Sequence, residues 1–236
     1  MNRDELVMFC TCDLGGQVRG KAVPARDLER HFRWGVGWTP TALMITPFGQ
    51  LAQGQWGSFG DVVLQPDPTT KVRVEYGDER PVDHFYLADT LNMNGTPWPG
   101  CPRGFLKSAL GLLERETRQR VVVAFEHEFV YTGAEGSNSL SGFHIDAVRR
   151  HALFGEALLH ALGAAGVEPE NFLAEFGPGQ FEVTNRPAVG MAAADRAIVV
   201  REIVRSTAQR LGQRAIFSPI MVPNGMGNGV HVHLRR

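Results

Sequence analysis

The chain changes its hydrophobic rhythm near residue 100. Before that point apolar residues come in short alternating runs. Leu6 to Cys12 and Gln17 to Val23 predict two strands, joined through the glycine-rich turn Asp13-Leu14-Gly15-Gly16 as a hairpin. Pro24 then opens a helix carrying Leu28 and Phe32, because proline fits the first helical turn, where its missing N–H costs nothing. Val62 to Leu64, Lys71 to Tyr76 and Val82 to Ala88 predict further short strands, with Pro66-Asp67-Pro68 turning between the first two. This is a small sheet with one helix across it. The stretch Asn92 to Gly104 holds three prolines and three glycines, a linker composition, and divides the chain into domains 1–100 and 101–236.

The elements after the linker are longer. A helix from about Arg103 presents Leu106, Ala109, Leu110 and Leu113 on one face, and the strand Val121 to Tyr131 follows. Asp146 is placed to cap a helix carrying Val148, Ala152, Leu158 and Leu162. A third helix spans Ala192 to Leu211, with Gly212 positioned to end it. Phe172 to Phe176, Gln180 to Thr184, Arg214 to Met221 and Val230 to Leu234 are the remaining strand candidates. The fold class is therefore α+β. The last alternating run stops at Arg235-Arg236 with no turn or cap after it, so the chain reads as cut rather than completed.

Composition narrows the partners. Twenty-four basic against 25 acidic residues leave a net charge of −1, which supplies no broad basic field for nucleic acid or an anionic membrane. Leu6 to Phe9 is too short an apolar run for a signal peptide or a span, and a cytoplasmic location is expected. Cys10, Cys12 and Cys101 are odd in number and lack companion ligands, so they are expected as buried, apolar-like residues rather than as a disulfide or a zinc site.

Three segments carry candidate chemistry. In Phe125-Glu126-His127-Glu128-Phe129, strand alternation sends both glutamates to one face and His127 to the other with the phenylalanines. Glu175 and Glu182 flank Gly177-Pro178-Gly179, a centre able to fold them side by side. His231 and His233 share a face of the last strand. Each pattern alone is weak, since a Glu-x-Glu is commonly a solvated strand face. The apolar residues on both sides of Glu126 and Glu128 argue instead for a lined cavity. If the four carboxylates converge, two charges about 4 Å apart repel by roughly 4 kcal/mol at an effective dielectric near 20. Protonation is one remedy and metal ions are another. Mixed carboxylate and imidazole ligands suit magnesium or manganese.

In this order, the blocks Arg19-Gly20-Lys21, Gly60-Asp61, Asp67-Pro68-Thr69, Pro102-Arg103, Glu126 to Phe129, Glu175 to Glu182 and Gly227 to His233 resemble the N-terminal portion of the glutamine synthetase superfamily, in its class-I-like and gamma-glutamyl-amide-forming branches. The resemblance implies a beta-grasp-like N-terminal domain, then the first part of a catalytic α+β barrel. It implies an ATP-dependent ligase that joins glutamate to ammonia or an alkylamine through gamma-glutamyl phosphate, with two or more Mg2+ or Mn2+ ions per site. Glu128, Glu175 and Glu182 would hold one ion, and Glu126 and His231 a second; His233 would contact the ATP phosphates and Gly227 the bound glutamate. No catalytic residue is implied beyond these metal and phosphate ligands. At full length a homo-oligomeric ring with intersubunit sites is implied; the 236-residue chain alone is expected to be inactive. The alternative is a catalytically inactive paralogue serving as an assembly or regulatory module.

Two departures bear on the substrates. Met226 stands where ammonia-using members carry asparagine, and altered glutamate binding is expected from it. Pro47 to Trp56 lacks the Asp-Gly-Ser-Ser pattern of ammonia-specific members, which points to a larger amine. Gln180 and the stretch Trp34 to Trp38 carry no interpretable signal in the sequence.

Overall fold

The structure is a computed structural model that describes residues 3–56, 60–134 and 142–235. It divides into two compact units, Met1–Gln119 and Arg120–Arg236.

In the first unit β1 (Leu6–Cys12) and β2 (Val18–Pro24) form the predicted hairpin, in register from Leu6 opposite Pro24 to Cys12 opposite Val18. The buried Asp13 fixes the turn by accepting from the Gln17 N–H at 2.8 Å and from Arg19 Nε at 2.7 Å. A helical turn at 25–27 leads into α1 (Leu28–Trp34), which Gly35 closes at φ +65 while its N–H donates to the His31 carbonyl. Next come β3 (Val36–Trp38), β4 (Val62–Pro66), β5 (Val72–Val74) and β6 (Asp83–Asn92). The sheet runs β2-β1-β6-β4-β3, with β5 also on β6, and only the β1–β6 pair is parallel. Its inward side chains, Val7, Phe9, Leu64, Tyr86 and Ala88, bury themselves with Leu28 and Phe32 of α1.

α2 (Pro102–Thr117) completes this unit. Cys101 is buried as expected, yet its thiol is also an acceptor, taking the Gly104 N–H at the helix start and the Thr90 N–H of β6, each at 3.2 Å. The predicted leucine face is only half covered, and charge ties the helix down. Arg103, 9% exposed, reaches Asp67 and Asp89 at 2.8 Å each, and Lys107 reaches Asp89 at 2.5 Å.

The second unit is built around β7 (Val122–Tyr131). α3 (Ile145–Arg150) and α4 (Ala152–Ala164) stand where one helix was predicted. The cap is His144, whose Nδ1 accepts the Asp146 N–H at 3.2 Å; Asp146 lies inside the first turn and pairs with Arg150 at 2.6 Å. Then follow β8 (Pro169–Ala174), β9 (Gln180–Asn185), β10 (Ala188–Val189), α5 (Met191–Arg210), β11 (Ala215–Ile216) and β12 (Val230–Arg235). All neighbours of β7 run antiparallel to it: β9 along 126–130, β10 at 122–123, β12 along 122–127 and β11 at 130–131. The strand expected from Arg214 to Met221 shrinks to the two residues of β11, since Pro219 cannot donate to a ladder.

Phe129, Phe154, Leu158, Leu162, Phe181 and Ile203 form the core of this unit. Gly155 on α4 is required by that packing, because a Cβ there would stand 2.7 Å from the Phe172 ring. β12 contributes nothing to the core, for all six of its side chains are exposed. Among the described residues no helix is long and apolar enough to cross a membrane.

Candidate metal centre

The pleat of β7 sorts its side chains as the sequence predicts. Phe129 and His127 turn into the core, where His127 is 1% exposed and its Nδ1 has no hydrogen-bond partner. Burial, aided by the charge of Arg201, pushes this imidazole down to about 4, so it is neutral at physiological pH. Glu126 and Glu128 face the other way. Antiparallel register then adds the rest, because directly opposed residues share a sheet face. Glu182 on β9 sits opposite Glu128, and His231 on β12 sits opposite Glu126.

The side chains converge. Glu126, Glu182 and His231 each offer a ligand atom within 4.8 Å of the others. His231 Nδ1 lies 3.2 Å from Glu126 Oε2, and His233 Nε2 lies 2.9 Å from Glu126 Oε1. Glu126 thus stands between two imidazoles. This triplet draws on both of the ligand sets that the family resemblance implies. Glu175 joins through the hairpin: its N–H donates to the Gln180 carbonyl at 2.9 Å across the Gly177-Pro178-Gly179 turn, and its Oε2 accepts the Phe176 N–H at 3.2 Å.

Glu128 is held differently. Its Oε2 accepts from Gln180 Nε2 at 3.0 Å and from the Gly229 N–H at 2.9 Å, while Oε1 is turned toward His231 Nδ1 at 4.0 Å. Gln180 is the residue that sequence reasoning missed. Its Nε2 also lies 2.7 Å from the Gly227 carbonyl and 2.9 Å from Asn228 Oδ1, and its Oε1 accepts the Gly177 N–H at 2.9 Å. Its position two residues before Glu182 puts it on the same strand face, which by itself names no role. Gly227 must stay small, since a Cβ would stand 2.9 Å from the Pro219 carbonyl oxygen.

The electrostatics are those of a site short of positive charge. Burial, then the charges of Glu126, Glu175 and Glu128, push Glu182 up to about 7. Burial also raises Glu175, with the Phe176 N–H opposing and the charge of Glu128 adding. A divalent cation fits this donor set. Oxygen and imidazole donors are those of Mg2+ or Mn2+, and ligands about 2.1 Å from one ion stand at most about 4.2 Å apart, a small adjustment from the arrangement present.

Comparisons with known proteins cover nearly the whole chain. Residues 1–98 match a family model described as the glutamine synthetase N-terminal domain, and residues 99–235 match one described as the glutamine synthetase catalytic domain. The gamma-glutamylpolyamine synthetase GlnA3 of Streptomyces coelicolor is 32% identical over 97% of this chain and 50% of its own length. Type-1 glutamine synthetase 1 of Dictyostelium discoideum is 31% identical over 98% of the chain and 51% of its own. The crystal structure of a novel glutamine synthase homolog superposes with a TM-score of 0.94 at 41% identity, covering 99% of this chain and 55% of that one. The chain spans about half the length of the curated relatives it matches.

Proposed function

The chain belongs to the glutamine synthetase family, and from that premise we propose that its second unit carries part of the active site of an ATP-dependent carboxylate–amine ligase. The observation that carries the reading is the convergence of Glu126, Glu182 and His231 within 4.8 Å, with Glu182 pushed up to about 7 by burial and then by the neighbouring carboxylates. The reaction is amide formation between the side chain of glutamate and ammonia or an amine, with ATP as cosubstrate. On this reading residues 1–100 are the N-terminal domain and 101–236 the opening portion of the catalytic domain. The full-length protein works in the cytoplasm as a homo-oligomeric ring.

Divalent ions, when bound, neutralise the charge that builds up as a phosphoryl group passes from ATP to a carboxylate. Glu128, Glu175 and Glu182 hold one ion, Glu126 and His231 the other, and His233 meets the phosphates. The chain's own residues prepare that arrangement. Gln180 and the Gly229 N–H occupy one oxygen of Glu128 and leave the second free to bind. Gly227 gives its carbonyl to Gln180, which fixes the loop that meets glutamate. The carboxylate-lined pocket helps take a proton from the incoming ammonium so that a neutral amine attacks.

The test is a Mn2+ titration followed by electron paramagnetic resonance, paired with phosphate release by the longest product of the coding sequence. Mn2+ binding that Glu182→Gln weakens, and release that needs both glutamate and an amine, support the ligase. Mn2+ binding without turnover in any product favours the inactive assembly module. Absence of Mn2+ binding sinks both the metal centre and the ligase.

A further inference from the structure

One carboxamide in the second unit faces more acceptors than it has hydrogens. Gln180, 3% exposed, turns its Nε2 toward three oxygens: Glu128 Oε2 at 3.0 Å, the Gly227 carbonyl at 2.7 Å and Asn228 Oδ1 at 2.9 Å. A side-chain NH2 carries only two hydrogens. No member of the group can resolve the competition by reversing its role. Turning the Gln180 amide over would set Oε1 against the same oxygens and break the bond it accepts from the Gly177 N–H at 2.9 Å. Asn228 is fixed in the same way, because its Nδ2 donates to the Ser218 carbonyl at 2.8 Å and to the Ile216 carbonyl at 3.3 Å. Glu128 Oε2 is already an acceptor, for the Gly229 N–H at 2.9 Å. Two glycines make room for the arrangement: a Cβ on Gly177 would stand 2.7 Å from Gln180 Oε1, and one on Gly229 would stand 2.9 Å from Glu128 Oε1.

Charge decides how the two hydrogens are divided. An ionised carboxylate is the strongest acceptor of the three. Without a cation, Glu128 therefore keeps one hydrogen, and the loop oxygens of Gly227 and Asn228 share the other. Once Glu128 shares its charge with an ion, its Oε2 becomes the weaker acceptor and releases its hydrogen to the loop. Both loop oxygens are then satisfied together. We infer that Gln180 is a positioning residue that couples cation binding at Glu128 to the order of the loop 227–229, through one amide that the two sides share. The inference rests on the ligase reading, in which Gly227 meets glutamate, and deepens it by naming the residue through which occupancy of the metal centre reaches that loop.

Amide exchange followed by NMR on the purified chain tests it, without Mg2+ and at a Mg2+ concentration that displaces bound Mn2+, with Mn2+ binding itself read by electron paramagnetic resonance. The Asn228 N–H is the reporter, since it is bonded to the Pro219 carbonyl at 2.9 Å rather than to a metal ligand. Mg2+ should slow its exchange by about fivefold, the worth of one neutral hydrogen bond. Gln180→Met keeps the length of the side chain and removes its hydrogens; exchange at Asn228 should become faster, and Mg2+ should no longer change it while Mn2+ still binds. A residue that only filled space would lower protection equally with and without Mg2+ and leave the step intact. Asn228→Ala leaves two oxygens for two hydrogens and should also abolish the step at position 228, which keeps the test open if Gln180→Met does not fold. A step that persists in either variant, or its absence from the unaltered chain while Mn2+ binds, overturns the coupling and leaves the ligase reading standing. Failure of Mn2+ to bind overturns both.

Discussion

The two units handle charge in opposite ways. In the first, carboxylates meet cations. Hydrogen bonds from Arg73 and His84 hold Glu5 down to about 2; at Asp67 burial pulls upward, but hydrogen bonds from Thr69 and Arg103 outweigh it and hold that group at about 2 as well. In the second, carboxylates meet one another, and burial together with its neighbours' charges drives Glu182 up to about 7. The first arrangement fastens strands and α2 together. The second costs folding energy and is kept where a ligand can repay it, which is why perturbed carboxylates mark functional sites.

The sharpest blow to that contrast is Arg103→Ala, which leaves Asp67 and Asp89 without their shared, nearly buried guanidinium. Loss of one partner from such a network costs about 3–5 kcal/mol, read from urea unfolding of the first unit; a loss near zero would mean the cluster is ornamental. Glu182→Gln should act in the reverse sense. It removes a charge whose folded-state pKa lies well above its ordinary 4.5, and the metal-free second unit should gain up to about 3 kcal/mol at pH 8 while Mn2+ binding weakens.

The pH dependences must also differ in sign. Glu5 and Asp67 have depressed values, so their contribution is present above pH 4.5 and is lost as pH falls toward 2; Asp67 alone accounts for about 2 kcal/mol. Glu182 is raised, so the metal-free second unit is favoured below pH 4.5 and loses stability as pH rises through 7. Urea midpoints across pH 2 to 8, read with a probe in each unit, check both slopes, and parallel slopes would erase the distinction. The smallest effect is that of Phe143→Gly, where release from φ +66 is partly offset by a freer unfolded chain; a net gain of about 0.5 kcal/mol is expected in thermal unfolding.

Long, strongly periodic elements were legible in the sequence. Leu6 to Cys12 is β1 residue for residue, and the helix predicted from Ala192 to Leu211 spans Met191–Arg210. β3 and β10 were not, because three and two residues are too few to display a period. The break between α3 and α4 was hidden because it falls at His151, which opens α4 without a side-chain cap, and the start of α3 was misplaced because His144, an uncommon cap, displaces the better-known candidate Asp146. Cys101 hid its acceptor role in the same way. At the site, alternation alone separated Glu126 and Glu128 from His127. Which carboxylate would be buried, and how many partners Gln180 would gather, depended on strands far apart in the chain. Local pattern does not carry that information.

β12 has a consequence of its own. It brings His231 to Glu126, yet every one of its side chains is exposed, so the ladder to β7 is its chief attachment. Cation affinity and strand order are therefore two faces of one thermodynamic linkage: an ion gripped by His231 lowers the entropy of β12, and whatever clamps β12 tightens the grip on the ion by the same factor. Hydrogen-exchange protection of the β12 amides is accordingly a direct gauge of occupancy, rising in step with bound metal.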